Sequence, residues 1–342
     1  MDKVKIGVIG LGGVAQLVHL PNLSKLSNVD LCAVAEVNKN RLQTIADKFN
    51  VKNRYASYKD LLEKCDVEAV VIATPTGTHT EIAIECLNAG KDVLVEKPLA
   101  KTSAEAKKIA DVAKKNKRKL MVGMNLRYRP DTMLLRSFIN SKEIGEPFYV
   151  KCGWIRKQSS SEKWFTKKEE SGGGVIIDLG IHILDLAMWL LDYPEIASVA
   201  TQNFYHNTKN VEDTSINCIK CKNSAVINME VSWSLPVEKD HFFLDVYGSK
   251  GSFSLNPFTL YKKVENDYIN LTPAQIDSPQ VLFKKSYLNE LKSFIGAIKG
   301  LNPVFSSGEE AIQRMKIIEA MYESADKNMK LKFNRYEKNI IS

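Results

Sequence analysis

Three side chains have the chemistry to move a proton or to hold a developing negative charge. Lys97 follows the apolar run Asp92–Glu96 and precedes Pro98. A proline fixes its own φ and biases the residue before it towards an extended backbone. An ammonium held there can polarise a substrate oxygen and stabilise an alkoxide. Asp178 and His182 lie four residues apart in an apolar segment, the spacing that places two side chains on one face of a helix. An imidazole beside a carboxylate suits proton transfer near neutral pH. Asp185, one turn further, can orient that imidazole or serve the helix alone. Plainer roles stay open for each: Lys97 can pair with Glu96, His182 can be a core histidine, and Asp178 can cap a helix after Gly172-Gly173-Gly174.

A second set of residues could hold a dinucleotide. Gly10-Leu11-Gly12-Gly13-Val14-Ala15 matches G-x-G-x-x-A directly after an apolar run. Gly10 permits the tight turn, Gly12 lets the backbone approach a pyrophosphate, and Ala15 lets the helix pack close to the sheet. Glu36 follows about 21 residues beyond Ala15, where a carboxylate bonds the ribose hydroxyls of NAD and repels the 2′-phosphate of NADP. NAD is therefore the expected cofactor. Lys39 and Arg41 are near enough to neutralise a phosphate, which keeps NADP as the lesser alternative.

Elements that position these residues can be read from periodicity. Strand-like runs at Lys5–Gly10, Val29–Ala35, Val67–Thr74, Asp92–Glu96 and Lys119–Met124 alternate with helical segments at Val14–Leu26, Arg41–Phe49, Thr80–Ala89 and Ala104–Asn116. Strict β/α alternation requires a parallel sheet covered by helices. The fold class is therefore α/β, with an N-terminal doubly wound Rossmann sheet over residues 1–124. Residues 125–342 read as an α+β domain with a large, mainly antiparallel open sheet. Helices are predicted at Asp131–Ser141, Ile177–Leu191, Ser286–Lys299 and Gly308–Asn328, with strands at Pro147–Ile155 and through Ser198–Leu271.

The chain has 342 residues, 44% hydrophobic and 26% charged, ordinary globular usage that excludes a disordered or collagen-like chain. The net charge is +8, but the cations are spread, and the densest run, Lys114–Lys119, closes a predicted helix where the dipole favours them. No nucleic-acid partner is expected. No apolar run reaches the ~18 residues of a membrane helix, so no membrane partner is expected. The start shows no charged stretch leading into an apolar run. The six cysteines are scattered, and Cys218 and Cys221 fall on opposite faces if they lie in a strand. A cytoplasmic location and no metal site are the expectations.

Further segments make the sequence resemble the Gfo/Idh/MocA oxidoreductases. They are His19-Leu20-Pro21, Thr74-Pro75-Thr76-Gly77-Thr78-His79, Glu96-Lys97-Pro98, Asn125-Leu126-Arg127-Tyr128-Arg129-Pro130, and Gly172-Gly173-Gly174 followed by Asp178-Leu179-Gly180-Ile181-His182. They run in order over nearly the whole chain, and E-K-P together with D-x-G-x-H is specific where each alone is not. The resemblance implies an enzyme that transfers hydride between NAD and a hydroxyl carbon of a sugar, cyclitol or sugar derivative bound between two domains. It places Gly10, Gly12, Gly13, Val14, Glu36, Arg41, Thr74, Pro75, Thr76, His79, Glu96, Lys97 and Asn125 at the cofactor, although His79 can equally serve the helix it precedes. Lys97, Asp178 and His182 are the implied catalytic set, and Lys97, Arg127, Trp154, Arg156, Trp164, Asp178 and His182 the implied substrate contacts. Trp154 and Trp164 suit stacking on a sugar, and Arg156 suits an anionic one. A redox-neutral glycosidase acting by transient oxidation and a non-catalytic sensor remain as alternatives on the same fold. A homodimer or homotetramer is expected.

Overall fold

The computed structural model describes residues 2–157 and 166–333. The chain forms two compact units. The first comprises Met1–Tyr128 and Phe283–Gln313, the second Arg129–Leu282 and Arg314–Ser342.

The first unit is built on six parallel strands: β1 (Val4–Ile9), β2 (Val29–Ala35), β3 (Asn53–Tyr55), β4 (Ala69–Ile72), β5 (Asp92–Glu96) and β6 (Leu120–Gly123), in the order β3-β2-β1-β4-β5-β6. Runs such as Ala69–Ile72 are buried at every position, as strands covered on both faces must be. Between them lie α1 (Leu20–Leu23), α2 (Lys39–Lys48), α3 (Tyr58–Lys64), α4 (His79–Asn88) and α5 (Ser103–Lys115). Asn38, Ser57 and Thr102 cap α2, α3 and α5 by accepting a first-turn N–H. The strand order reverses between β1 and β4, the crevice where doubly wound sheets bind ligands. Strand β3 and helix α3 are not among the predicted elements.

The helix predicted at Ser286–Lys299 is α9 (Pro279–Ile298). Its Leu291, Phe294 and Ile295 join Val8, Val71 and Leu94 in one apolar core. Beyond it, the Ser306 carbonyl accepts from the Val122 N–H, and Ser307 bridges Met121 at the edge of β6. Residues 283–313 thus complete the first unit, whereas a division at 124/125 assigns them to the second. An apolar stripe far along the chain supplies part of the N-terminal core.

The second unit contains β7 (Pro147–Ile155), β8 (Ile196–Phe204), β9 (Thr214–Cys221), β10 (Val226–Ser232), β11 (His241–Gly248), β12 (Gly251–Leu255), β13 (Thr259–Val264), β14 (Asp267–Asn270) and β15 (Leu331–Lys332). They form one sheet in the order β14-β13-β12-β11-β7-β10-β9-β8-β15. Every neighbouring pair is antiparallel except β7 and β10. Its helices are α6 (Pro130–Asn140), α7 (Lys168–Ser171), α8 (Ile181–Leu190) and most of α10 (Gly308–Asp326). Helix α8 packs on β7 and β10, covering the face that carries Val150, Cys152, Ile227, Met229 and Val231, all buried. The other face is open: it presents Lys151, Ile216, Cys218 and Lys220, with a depression of about 500 Å³ whose lining includes Tyr149, Lys151, Gln202, Ile216 and Glu230. Cys218 is exposed and Cys221 buried, and all six cysteines are free thiols. Among the described residues no helix is long and apolar enough to cross a membrane.

Candidate active site

In the first unit the glycine turn joins β1 to the helical segment Ala15–Leu23. Gly10 has φ +88°, and a Cβ there would lie 2.7 Å from the Ala73 carbonyl oxygen, so only glycine fits. A Cβ on Gly12 or Gly13 would meet nothing within 4 Å. The space above the turn is open, as a backbone that must approach a pyrophosphate requires. Glu36 follows β2 and turns its carboxylate towards this loop: Oε2 accepts from the Leu11 N–H and Oε1 from the Asn38 N–H, both at 2.9 Å. The Arg41 guanidinium lies 3.4 Å from Oε2. An open glycine cradle with an acceptor at the end of β2 fits NAD.

The Thr74 loop follows β4. Pro75 is exposed, Thr76 opens a 3₁₀ turn over Thr76–Thr78, and Thr74 Oγ1 accepts from Thr78 Oγ1 at 2.8 Å. His79 is buried and does not cap α4. Its Nδ1 lies 2.8 Å from the Pro98 carbonyl and its Nε2 2.8 Å from the Thr74 carbonyl. Two carbonyl acceptors favour an imidazolium, but burial outweighs them and pushes the pKa below its ordinary value. A neutral ring donates to one carbonyl at a time, bracing the Thr74 loop against the segment after Lys97. Glu96 ends β5; its Oε1 lies 2.6 Å from His19 Nε2, and its Oε2 accepts from the Lys97 N–H at 3.2 Å. Lys97 itself is half-buried and joined to Pro98 by a cis peptide bond. Asn125 donates to Ser286 Oγ at 3.0 Å. Arg127 is 1% exposed and donates to the Phe305 carbonyl and Glu310, partners within the first unit.

In the second unit the single helix predicted over Ile177–Leu191 is a π turn, Ile176–Gly180, that runs into α8. Asp178 lies in the π turn and His182 in the first turn of α8. Such π segments recur at functional sites. Asp178 Oδ2 accepts from the Trp233 indole N–H at 3.3 Å. The start of this helix is pinned by Glu212, which the sequence does not single out. Its Oε1 accepts from Gly174 N–H (3.1 Å), Ile176 N–H (2.9 Å) and the Tyr322 hydroxyl (2.9 Å), and its Oε2 also accepts from Gly174 N–H at 3.1 Å. Burial raises the Glu212 pKa, and these hydrogen bonds only partly offset that. The three glycines are explained here: Gly172 has φ +86°, a Cβ on Gly173 would lie 2.0 Å from the Tyr322 hydroxyl, and one on Gly174 would lie 2.0 Å from the Glu212 carbonyl.

Asp185 is 1% exposed and bonds Arg314 Nη1 at 2.6 Å and the Tyr193 hydroxyl at 2.9 Å. The Trp154 ring lies 6.1 Å from the His182 ring. Arg156 sits with Nε 3.4 Å from Asp240. Trp164 lies outside the described residues.

The family model of the Gfo/Idh/MocA oxidoreductases for the NAD-binding Rossmann fold matches residues 4–124. That of the same family's C-terminal alpha/beta domain matches residues 136–333. The chain is 26% identical to a D-glucoside 3-dehydrogenase of Escherichia coli (strain K12), over 95% of this chain and 96% of that protein. It is 28% identical to a myo-inositol 2-dehydrogenase of Thermotoga maritima, over 90% of this chain and 92% of the relative. The solved structure of levoglucosan dehydrogenase with NADH and levoglucosan aligns with a TM-score of 0.87, covering 97% of this chain and 100% of the other at 22% identity, a likeness of fold. Two domain matches in succession span most of the sequence, on the architecture that the glycine turn and the E-K-P segment predict. The chain belongs to the Gfo/Idh/MocA family of oxidoreductases, and its residues 4–124 are that family's NAD-binding domain.

Proposed function

We propose that the protein is an NAD-dependent dehydrogenase that oxidises a hydroxyl carbon of a sugar, cyclitol or sugar derivative. This reading is supported by the set Lys97, Asp178 and His182 that the family-like segments carry, in a chain whose residues 4–124 match an NAD-binding domain. A sensor needs no such set, and the relatives named above are dehydrogenases of a glucoside and an inositol.

The backbone of Gly10, Gly12, Gly13 and Val14 would hold the pyrophosphate and Glu36 the ribose hydroxyls, with Arg41 beside it. Thr74, Pro75, Thr76, Glu96 and Asn125 would line the rest of the cofactor, and His79 would brace their loop. Bound NAD supplies a hydride acceptor. His182 takes the hydroxyl proton as general base. Asp178, oriented by the Trp233 indole, stabilises the imidazolium that results. Lys97 stabilises the alkoxide while the C–H bond breaks.

Replacing Lys97 by Met and His182 by Ala, one at a time, tests these roles by NADH formation over a panel of cyclitols, aldoses and glycosides. Each change is expected to lower kcat by roughly 10²-fold or more, with NAD affinity within a fewfold of the parent. Turnover within a fewfold of the parent in both variants refutes the assignment. The six free thiols support a cytoplasmic location. The open sheet face, where Ile216 is 53% exposed, supports a homodimer or homotetramer. A monomer by light scattering at micromolar concentration rules that out.

A further inference from the structure

His19 closes the π turn Ala15–His19, in the helical segment that follows the glycine turn. Its side chain is 0% exposed. A π turn adds a residue to the helical repeat and shifts the direction of the side chains around it. The His19 ring faces the end of β5, where its Nε2 lies 2.6 Å from Glu96 Oε1. A carboxylate opposite makes Nε2 the donor, and bonds of this charge-assisted kind are short and strong. Nδ1 is buried and has no hydrogen-bond partner, so among the described residues the ring's polar contact is made through Nε2. The second carboxylate oxygen, Oε2, accepts from the Lys97 N–H at 3.2 Å. A Cβ on Gly123 of β6 would lie 3.2 Å from that oxygen, and Tyr287 of α9 stands edge-on to the His19 ring with 6.2 Å between centres. Holding Oε1 therefore sets the rotation of a closely walled carboxyl group, and with it the acceptor for the Lys97 N–H. The residue after Lys97 is held from the other side, because the Pro98 carbonyl lies 2.8 Å from His79 Nδ1. Lys97 thus stands between two anchors, each fastened by a buried histidine. One histidine comes from the segment after the glycine turn and the other from the end of the Thr74 loop.

Resting on the dehydrogenase reading, we infer that His19 is a positioning residue: through Glu96 it fixes the backbone that carries Lys97 and ties this corner to the glycine cradle. NAD affinity and alkoxide stabilisation then depend on one Nε2–H···O bond. Lys97 acts on charge that develops as the C–H bond breaks, so a displaced Lys97 lowers kcat more than it alters sugar binding. A glutamine can place its amide nitrogen where Nε2 lies. An asparagine places it near Nδ1, short of Glu96.

The test compares the full-length parent with His19→Asn, His19→Gln, Glu96→Ala and the double variant His19→Asn/Glu96→Ala. His19→Leu replaces His19→Asn throughout if the asparagine protein does not fold. NAD affinity is read by calorimetry with no sugar present. The kcat and KM are read by NADH formation over the panel of cyclitols, aldoses and glycosides, with myo-inositol and methyl β-D-glucopyranoside among them. His19→Asn is expected to lower kcat about tenfold or more and to weaken NAD binding several-fold, with the sugar KM within about twofold of the parent. His19→Gln should recover most of both losses. In the Glu96→Ala background, where the bond is already gone, His19→Asn should change either quantity by less than about twofold. A folded His19→Asn protein with kcat and NAD affinity both within about twofold of the parent overturns the inference. So does a loss that His19→Gln does not recover, or one that multiplies in full with the loss from Glu96→Ala, since His19 then acts by another route. The NAD arm needs no turnover. A parent that binds NAD and oxidises nothing on the panel refutes the dehydrogenase reading, while the calorimetric cycle still decides for or against His19. Oxidation in the parent, with independent effects at the two positions, does the reverse.

Discussion

Replacing Glu212 by Ala removes the acceptor for three donors in a nearly solvent-free place: the N–H groups of Gly174 and Ile176 and the Tyr322 hydroxyl. Glu212 itself is 2% exposed. A buried donor left without a partner costs about 1–3 kcal/mol, which gives a gross loss of at least ~3 kcal/mol. Relief from burying a carboxylate offsets part of it, and the emptied volume adds to it. A net loss on the order of 3 kcal/mol corresponds to a fall in Tm of roughly 6–12 °C for a unit of this size. Differential scanning fluorimetry at neutral pH measures it. Because these bonds fix the start of the helix bearing Asp178 and His182, kcat should fall more than NAD affinity. Glu212→Gln should recover part of both effects, since its carbonyl can keep the Oε1 bonds. The pH dependence carries its own sign. A carboxyl whose folded pKa is raised holds its proton more tightly in the native state than in the unfolded one, so native stability falls as pH rises from the ordinary value of 4.5 to the raised one. Glu212→Gln has no such titration. The stability advantage of the parent over Gln should therefore shrink across that window and then level off. A Tm change under 2 °C in Glu212→Ala, with unchanged kcat, would refute the anchoring role.

The two glycine clusters should respond oppositely to one methyl group. Gly174→Ala drives Cβ into a backbone carbonyl 2.0 Å away and should lower Tm by more than any surface change, whereas Gly13→Ala, with open space around it, should leave Tm within about 2 °C and weaken NAD binding by calorimetry. Equal melting points for the two would contradict the geometry. Asp185→Asn leaves the Arg314 guanidinium, fully buried, without its counter-charge, and should cost about 3–5 kcal/mol in denaturant titration. Its kcat, measured well below the melting point, should stay within a fewfold of the parent; a hundredfold fall would restore a catalytic part for Asp185. Glu36→Ala removes the acceptor for the ribose and releases Arg41. The NAD to NADP ratio of kcat/KM should drop about tenfold or more, and an unchanged ratio would exclude Glu36 as the discriminator.

Some of this was legible because the signal is local. Pro147–Ile155 is a strand with the bounds its pattern predicts, since a proline opens the run and apolar Val150, Cys152 and Trp154 recur at every second position along it. The glycine turn and Glu36 are likewise fixed by their distance along the chain. Strand β3 and helix α3 escaped because β3 is three residues at a sheet edge, with no fully buried position to imprint a period. The π turn at Ile176–Gly180 escaped for the opposite reason. Nearly every residue there is buried, so the apolar pattern does not distinguish one helical period from another. Glu212, Trp233 and Tyr322 were hidden because what they do depends on folding across the second unit, and a glutamate in Val-Glu-Asp-Thr carries no mark of what it will accept. Arg127 has a partner that was not legible: Glu310 is supplied by a return of the chain that no local pattern announces.

That return bears on how the protein comes into being. A ribosome that has released only the first 128 residues has produced a cofactor unit lacking Leu291, Phe294 and Ile295 from its core, with the edge of β6 unprotected. Ordinary N-terminal-first assembly is denied to it. The whole stretch Arg129–Leu282 must be synthesised before the unit can close, which adds long-range contacts and slows folding. The same arrangement governs engineering. A fragment cut at residue 124 should expose apolar surface and aggregate, whereas a permuted gene joining 283–313 directly to 1–128 would carry a complete nucleotide-binding core. Exchange of cofactor modules between relatives, by evolution or by design, must move two pieces of sequence at once.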